Sequence, residues 1–307
     1  MRLAVSLLQN GPITILSLGD MQCSDPKIVG AKAANLSLLA ESYLVPPGFA
    51  ITAQAFQSIP NEDILRTDAE SSNIYGMPES LYKDFTRAYY KLSLNSSTDE
   101  FAVAVRSSGL GEDSISASFA GQHLTYLNVV GELAVIDAIM GCWQSVPSPS
   151  ALEYRRQHGI ESYSLGMAVI IQEMVRADAS AVVFSANPTN ANKGEILINS
   201  TWGLCEGIVS GMSTPDSYVL SKDTKNLIDS DIAQKTTMTV PIDDGIHMVD
   251  VPTQLQYQPS LTNDQLTEVA NLAISLESRM GWPVDIECSY YGNNLYLLQC
   301  RPITGMR

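Results

Sequence analysis

The last stretch of the chain, residues 281–304, limits the fold more strongly than any other. It reads GWPVDIECSYYGNNLYLLQCRPIT, two runs of strand-forming residues around a short polar segment. Apolar and polar residues alternate from Val284 to Tyr290, and Leu295 to Arg301 is rich in residues that suit a pleated sheet. The GNN segment at 292–294 tolerates the positive φ that a three-residue hairpin loop needs. The pattern predicts a β-hairpin.

A three-residue loop sets which residues face each other across this hairpin. Glu287 then lies opposite Gln299, Asp285 lies opposite Arg301, and all four share one face because side chains alternate along a strand. Leu298 is expected on the other face, toward a core. Carboxylate and amide oxygens are ligands that Mg²⁺ takes, and an arginine suits a phosphate oxygen beside the metal. The alternative is a solvated face with an Asp285–Arg301 ion pair, and the hairpin alone favours that alternative.

The composition excludes several classes of protein. A formal net charge of -15 over 307 residues argues against a protein that follows nucleic-acid phosphates and against a polybasic membrane binder. Five scattered cysteines without a CxxC pair argue against a zinc site or a disulfide framework and fit a reducing cytoplasm. No apolar run reaches membrane-spanning length, and the N-terminus reads as a first strand rather than a signal peptide. We therefore expect a cytoplasmic protein that binds neither nucleic acid nor membranes.

Two basic residues stand where a phosphate could bind. Residues 29–40, VGAKAANLSLLA, predict a helix that begins near Gly30, with Lys32 in its first turn. A lysine is unfavourable at the positive end of a helix unless both face an anion such as phosphate. Arg106 ends the apolar run FAVAVR, and the Ser/Gly-rich residues 107–122 that follow could wrap phosphate oxygens. The alternatives, a solvent lysine and a plain linker, remain open here.

Two further segments stand out in the second half of the chain. The run GMAVIIQEMV, residues 166–175, predicts a buried strand whose end could read an adenine edge through its main chain, although an ordinary strand end is the simpler interpretation. The run TWGLCEGIVSG is a Gly-rich turn that contains Glu206. Helices and strands are interspersed without a strict βαβ order, which predicts an α+β fold.

Taken together, these segments resemble the nucleotide-binding domain of the phosphoenolpyruvate synthase, pyruvate phosphate dikinase and rifampicin phosphotransferase family. The resemblance rests on nine segments in the family's order along nearly the whole chain: VGAKAANLSLL, VPPGFAIT, VAVRSS, ASFAGQ, MAVIIQEMV, ANPTN, TWGLCEGIVSG, TPDSYVL and NLYLLQCRPIT. It implies an α+β, ATP-grasp fold in which two lobes, residues 1–170 and 171–307, clamp ATP.

The resemblance also implies roles for individual residues. Lys32 and Arg106 would grip ATP phosphates, and Arg301 would lie beside the transferred phosphate. Glu206 would contact the ribose, and Glu287 with Gln299 would bind Mg²⁺. The adenine linker would consist of Gln172, Glu173, Met174 and Val175. The loop that closes over the phosphates would consist of Ser116, Ala117, Ser118, Phe119, Ala120, Gly121 and Gln122.

Some positions depart from the family's pattern. His123 and Leu124 stand where an aspartate normally continues the phosphate loop, and Cys205 replaces the second glycine of WGLGE. Family enzymes also carry a mobile domain whose Thr-Ser-His type motif accepts phosphate on histidine. None of the three histidines of this chain lies in such a motif, so we expect the phosphohistidine domain to act from a partner domain or chain, or to have been lost.

Three functions follow as hypotheses. The first is a Mg·ATP-binding, dikinase-type phosphotransferase module that passes phosphate to a partner's histidine and on to a small-molecule acceptor. The second is a stand-alone ATP-grasp enzyme that phosphorylates or ligates a small molecule directly, since one fold hosts several chemistries. The third is a non-catalytic nucleotide-binding subunit, suggested by the departures at Leu124 and Cys205.

Overall fold

The strands of this protein form two large antiparallel sheets. The computed structural model describes residues 14–59, 76–94, 96, 101–110, 124–146 and 166–304. Within these ranges one sheet has five strands, another has six, and a separate hairpin has two. Every pair of neighbouring strands is antiparallel. Helices pack beside these sheets, which confirms the predicted α+β class.

The first sheet uses the N-terminal part of the chain. Its strands are β1 Ile15–Ser17, β2 Gly48–Ile51, β3 Ala102–Gly109, β4 Thr125–Val130 and β5 Met167–Glu173. They lie in the order β1-β2-β5-β3-β4, so the two longest strands, β3 and β5, are interior strands. The strands predicted from FAVAVR and GMAVIIQEMV are confirmed as β3 and β5, whereas β4 was not predicted.

Within the described ranges, four helices and a short 3₁₀ turn accompany this sheet. They are the turn Met21–Ser24, α1 Pro26–Leu39, α2 Ala53–Gln57, α3 Glu79–Leu94 and α4 Glu132–Gln144. Phe85 of α3 and Trp143 of α4 are fully buried in the core between these helices and the sheet. The indole of Trp143 also donates a hydrogen bond to the carbonyl of Met167, 3.1 Å away. Buried aromatic residues of this size contribute much of a core's stability.

Helix α1 is broken at Gly30, and the break determines where Lys32 lies. Gly30 has φ 74° and ψ 164°, which a residue with a side chain adopts only with strain. A Cβ at this position would lie 2.4 Å from Oγ of Ser108. The same hydroxyl accepts the amide hydrogen of Ala33 at 3.3 Å. The helix starts earlier than predicted, at Pro26, but Lys32 lies in the first turn of the part that follows the break.

The second sheet uses the C-terminal part of the chain. Its strands are β6 Ala179–Phe184, β7 Glu195–Trp202, β8 Asp216–Ser221, β9 Leu227–Asp231, β12 Val284–Tyr291 and β13 Asn294–Pro302. They lie in the order β13-β12-β6-β7-β8-β9. The short helix α5 Glu206–Val209 follows β7, and α6 Asn263–Met280 packs its apolar stripe on the sheet. A capping box of Thr262 and Gln265 begins α6, and left-handed Gly281 ends it.

The C-terminal hairpin has the predicted pairs but a different loop. Tyr291 pairs with Asn294, so the loop has two residues, and the expected three-residue loop is wrong. A β-bulge between Glu287 and Cys288 inserts Leu298 into β13. The bulge compensates for the shorter loop, and Glu287 therefore does pair with Gln299.

The bulge also overturns the predicted position of Leu298. Leu297 is the residue that enters the core, at 1% exposure. Leu298 is half-buried and lines a cavity instead. The prediction was wrong because strict alternation fails by one residue at a bulge.

The two lobes are joined by several elements. The predicted boundary between residues 170 and 171 cuts through β5, because that strand stays in the first sheet up to Glu173. Helix α1 also contributes Leu36 and Leu39 to the core of the second sheet, and Asn35 donates to the carbonyl of Cys300 at 2.9 Å. None of the helices in the described part of the chain is long and apolar enough to cross a membrane.

A small hairpin also reaches from the second lobe to the first. It consists of β10 Thr237–Ile242 and β11 Gly245–Asp250. At its base, Leu204 donates to the carbonyl of Thr239 at 2.8 Å. At its tip, the side-chain amide of Asn128 on β4 donates to the carbonyls of Asp243 and Gly245 at 3.0 and 2.8 Å. The lobes therefore contact each other through α1 and through this hairpin.

Candidate nucleotide site

A cavity of about 470 Å³ lies between the two sheets. Every predicted site residue among the described residues lines it: Lys32, Arg106, Gln172, Glu173, Met174, Val175, Glu206, Glu287, Gln299 and Arg301. The predicted phosphate loop, Ser116 to Gln122, lies outside the described residues, as does His123. Ten residues from five separate segments therefore converge on one cavity, which neither lobe could form alone.

Arg106 spans this cavity from the first lobe to the second. It leaves β3, and its guanidinium donates to the carbonyl of Leu298 at 2.7 Å and to Oε1 of Gln299 at 2.8 Å. It also lies 3.4 Å from Oε2 of Glu287, with the two side chains 12% and 14% exposed. The two short hydrogen bonds are charge-assisted, whereas the contact with Glu287 is longer than such a bond usually is.

Glu287 and Gln299 meet directly across the hairpin. Nε2 of Gln299 donates to Oε1 of Glu287 at 2.9 Å, so both side chains aim their oxygens at the same part of the cavity. Among the described residues, no group of three or more His, Cys, Asp or Glu side chains could hold a metal ion. Mg²⁺ does not need such a cage, because it commonly takes one or two protein oxygens and completes its shell with phosphate and water. The donor set of Glu287 and Gln299 therefore fits Mg²⁺.

Lys32 and Arg301 approach the cavity from opposite lobes. Nζ of Lys32 donates to the carbonyl of Ser107 at 3.4 Å, which directs the ammonium toward the end of β3. Nε of Arg301 donates to Oδ2 of Asp285 at 2.9 Å. The cross-strand pair that the sequence offered as an alternative thus exists, and it holds Arg301 at the cavity wall. Asp285 is buried, so it fixes the guanidinium through a partner that water hardly reaches.

Some groups of the predicted adenine linker form hydrogen bonds to neighbouring segments of the fold, and others face the cavity. The side chain of Gln172 donates to the carbonyl of Pro46 at 3.0 Å, and the amide of Met174 donates to the carbonyl of Ala102 at 3.0 Å. The carboxylate of Glu173 accepts a hydrogen bond from Ser96 at 2.8 Å. Val175 lines the cavity, and no hydrogen-bond partner for its amide is present among the described residues. The main chain at Val175 is therefore the group of this segment best able to read a base edge.

The Gly-rich turn before α5 carries Glu206 and explains why Cys205 is tolerated. Gly203 has φ 73°, and a Cβ there would lie 2.3 Å from the carbonyl oxygen of Thr239, so that position requires glycine. Cys205 has an ordinary helical backbone, φ -61° and ψ -24°, and it is buried beneath the turn. Burial raises the pKa of its thiol well above the ordinary value, which keeps it un-ionised.

Glu206 lies in an electrostatically strained position. Burial raises the pKa of its carboxyl above the ordinary value, the negative charge of Glu287 raises it further, and Arg106 partly offsets both effects. A positive ligand or a bound metal would relieve this repulsion.

Several lining residues were not anticipated from the sequence. They are mostly apolar and include Ala104, Thr125, Leu127, Leu204, Val209 and Ser289. Thr125 and Leu127 belong to β4, a strand whose pattern did not stand out. Leu124, one of the departures, also lines the cavity and is 41% exposed. Apolar walls of this kind could be found only from the register, because nothing in their residue types signals a site.

Two antiparallel sheets that close on a cavity with basic residues and carboxylates define a two-lobed α+β module suited to an anionic ligand. The chain belongs to the pyruvate phosphate dikinase, AMP/ATP-binding domain family, which it matches over residues 26–307. The resemblance and the ATP-grasp fold class inferred from the sequence are thereby confirmed. The same match supports the expectation of ATP as ligand.

Individual proteins that are similar to this chain agree with this family assignment. The chain is 36% identical over 315 residues to the probable phosphoenolpyruvate synthase of Methanocaldococcus jannaschii, covering 94% of this chain and 26% of the relative. It is 32% identical to the phosphoenolpyruvate synthase of Pyrococcus furiosus, covering 94% of this chain and 43% of the relative. It is also 32% identical to the rifampicin phosphotransferase of Streptomyces sviceus, covering 95% and 36%. The chain thus spans less than half the length of these relatives.

Proposed function

We propose that this chain is the Mg·ATP-binding module of a dikinase-type phosphotransferase. In this proposal it transfers phosphate from ATP to a histidine on a partner domain or chain, from which the phosphate passes to a small-molecule acceptor. The carrying observation is that Lys32, Arg106 and Arg301 converge with Glu287 and Gln299 on one cavity between the lobes. The names of the relatives, phosphoenolpyruvate synthase and rifampicin phosphotransferase, support the same class of reaction.

The residues divide the work of binding and transfer. The main chain at Val175 would read the base and Glu206 would contact the ribose. Lys32 and Arg106 would hold phosphate oxygens, and Arg301, held by Asp285, would face the phosphate that is transferred. Phosphoryl transfer is catalysed chiefly by positioning and by neutralising charge, so three cations around one cavity supply what the reaction needs.

Glu287 and Gln299 would hold the metal ion. Their oxygens point into the part of the cavity that Arg106 also reaches. A bound Mg²⁺ would supply charge neutralisation between adjacent phosphates. The nearby carboxyl of Glu206 would then lose part of the repulsion that raises its pKa.

The first experiment measures thermal stability with ATP, with and without Mg²⁺. A ligand that binds only the folded chain at 100 times its Kd stabilises it by about 2.7 kcal/mol, so a clear rise in Tm is expected. An unchanged Tm over a wide range of Mg·ATP concentrations would contradict the proposed nucleotide site.

A second experiment tests transfer to histidine. ATP labelled in the β-phosphate is incubated with the chain and a phosphohistidine domain taken from a longer relative. We expect acid-labile label on the partner, with AMP and inorganic phosphate from the γ position as products. Release of ADP that depends on a small-molecule acceptor would favour direct phosphorylation, and binding without turnover would favour the non-catalytic subunit.

A further inference from the structure

Arg106 makes its hydrogen bonds to the groups that the proposed function assigns to the metal. Its guanidinium lies 2.8 Å from Oε1 of Gln299 and 3.4 Å from Oε2 of Glu287. A third donor reaches the carbonyl of Leu298 at 2.7 Å. A metal ion bound by Glu287 and Gln299 needs those same oxygens. The guanidinium and the metal cannot both use them fully.

The bulge in β13 makes this arrangement possible. Leu298 has no partner on β12 in the strand register, and its carbonyl accepts from Arg106 across the cavity. The guanidinium therefore finds three acceptors on one strand pair, arranged for its forked donors. A regular hairpin would have turned Leu298 to the other face, as the sequence alone predicted.

The charge balance of the cavity also calls for a cation at this point. Glu287 is 14% exposed, and Glu206 lies close enough to feel its charge. A carboxylate so little exposed must be neutralised by a partner. The structure provides Arg106 as that partner, and its 3.4 Å contact with Glu287 is longer than a charge-assisted hydrogen bond usually is.

We propose that Arg106 is an exchangeable internal cation. Without nucleotide it occupies the acceptors of the metal and ties the two lobes together through Glu287, Gln299 and Leu298. Binding of the metal with nucleotide displaces the guanidinium from the two side chains, and the freed donors turn to the phosphates. This inference rests on the proposed function and describes how the same site is regulated. Its consequence is that metal and nucleotide bind cooperatively. The metal takes over the acceptors that Arg106 leaves, and the nucleotide supplies new acceptors for the guanidinium, so neither alone replaces all the lost contacts.

The test measures Mn²⁺ binding to the nucleotide-free chain by electron paramagnetic resonance. Arg106→Ala removes the competing cation and should tighten Mn²⁺ binding about tenfold or more. A change of this size corresponds to the loss of one hydrogen bond to a charged group. Arg106→Lys keeps the charge but lacks the fork, and its affinity should fall between the two. Arg106→Ala/Glu287→Gln should lose the gain. Circular dichroism and Tm of each variant verify that it is folded.

A matched control separates competition at the site from the change in overall charge. Lys222→Ala also removes one positive charge, from an ion pair with Glu277 that does not line this cavity, and should leave Mn²⁺ affinity as in the wild type. Equal Mn²⁺ affinity of wild type and Arg106→Ala would overturn the inference. Equal Mn²⁺ affinity of wild type and Arg106→Lys would also overturn it, because repulsion by a positive charge would then explain the data without competition for the oxygens. If wild type binds Mn·ATP while these results fail, only the inference falls. If wild type binds no nucleotide at all, the proposed function falls as well.

Discussion

Two ion pairs in this protein consist of similar groups but differ in burial and in surroundings. Lys235 and Asp216 form a pair in the second lobe in which both side chains are 0% exposed. Arg106 and Glu287 form a pair at the cavity, with a longer separation of 3.4 Å and partial exposure. Neither pair is local in sequence, and each joins segments that the fold brings together.

The carboxylate of the buried pair is saturated by hydrogen bonds. Oδ2 of Asp216 accepts from the amide and the hydroxyl of Ser260 at 2.8 and 2.7 Å, and Oδ1 accepts from the amide of Ala233 at 3.1 Å. Lys235 donates to Asp216 and to the carbonyl of Ala233. Every one of these partners belongs to the scaffold, so no ligand is needed to complete the set. The Arg106 pair draws on groups that a ligand can replace. A saturated buried pair belongs to the fold, and a loose pair at a cavity is available for function.

The largest effect is expected from breaking the saturated pair. Lys235→Ala would leave the Asp216 carboxylate buried without its cation, which typically costs about 3–5 kcal/mol. Urea denaturation followed by fluorescence measures the change in unfolding free energy. The matched control is Lys222→Ala, whose ion pair is 18% and 28% exposed, with an expected cost of about 0–1 kcal/mol. Equal costs in the two variants would contradict the distinction drawn here.

The neighbouring residues Leu297 and Leu298 allow the same comparison between a core position and a cavity position, with apolar side chains. Leu297→Ala would leave a cavity in the core, at a cost of about 2–5 kcal/mol. Leu298→Ala removes a side chain from the cavity wall, so we expect a change in stability within about 0.5 kcal/mol, as at sites away from the core, with weaker ATP binding. Denaturation and calorimetry separate the two effects. A reversal of the pattern would mean that the bulge is misplaced.

Lys32→Ala tests a cation on the other wall of the cavity. Loss of its charge-assisted contact to phosphate should weaken ATP binding by roughly 1.5–3 kcal/mol while the fold stays intact. Lys27→Ala is the control, because Lys27 lies on the same helix before the break at Gly30 and is exposed. Calorimetry that shows the same ATP affinity for both variants would remove Lys32 from the site.

Glu206→Gln should give the smallest effect, and the size of its effect on stability depends on pH. The folded chain raises the pKa of Glu206, so ionisation of this carboxyl lowers stability as pH rises through the raised value. The variant should therefore have a higher Tm than wild type at pH 7–8, with a smaller change than those predicted above. The difference should vanish below the ordinary glutamate pKa of about 4.3, where both side chains are neutral.

An exposed glutamate supplies the control for this prediction. A hydrogen bond from Lys83 lowers the pKa of Glu79, so Glu79→Gln should not stabilise the chain at neutral pH. Scanning calorimetry of both variants at pH 4 and pH 8 makes the comparison. Stabilisation by Glu206→Gln that persists at pH 4 would point to packing rather than to charge.

The sequence by itself determined the class of fold and the residue types of the candidate site. Buried strands such as β3 and β5, the amphipathic helix α6 and the terminal hairpin follow from local periodicity, which is a property of neighbouring residues. The order of short motifs pointed to the family and so to Lys32, Arg106, Glu206 and Gln299. The Glu287–Gln299 pair was predicted correctly, but from a loop length that is wrong, and only the bulge brings that pair back into register.

Tertiary structure decided what those residues touch. Arg106 meets Gln299, 193 positions away, and Lys235 meets Asp216 inside a core. Which of Leu297 and Leu298 enters the core depends on one inserted residue, because each step along a strand reverses the face. Contacts between distant segments depend on how two sheets pack, and no local pattern of residues encodes that packing. The sequence therefore indicated the chemistry of the site, and the packing of the two lobes determined its geometry.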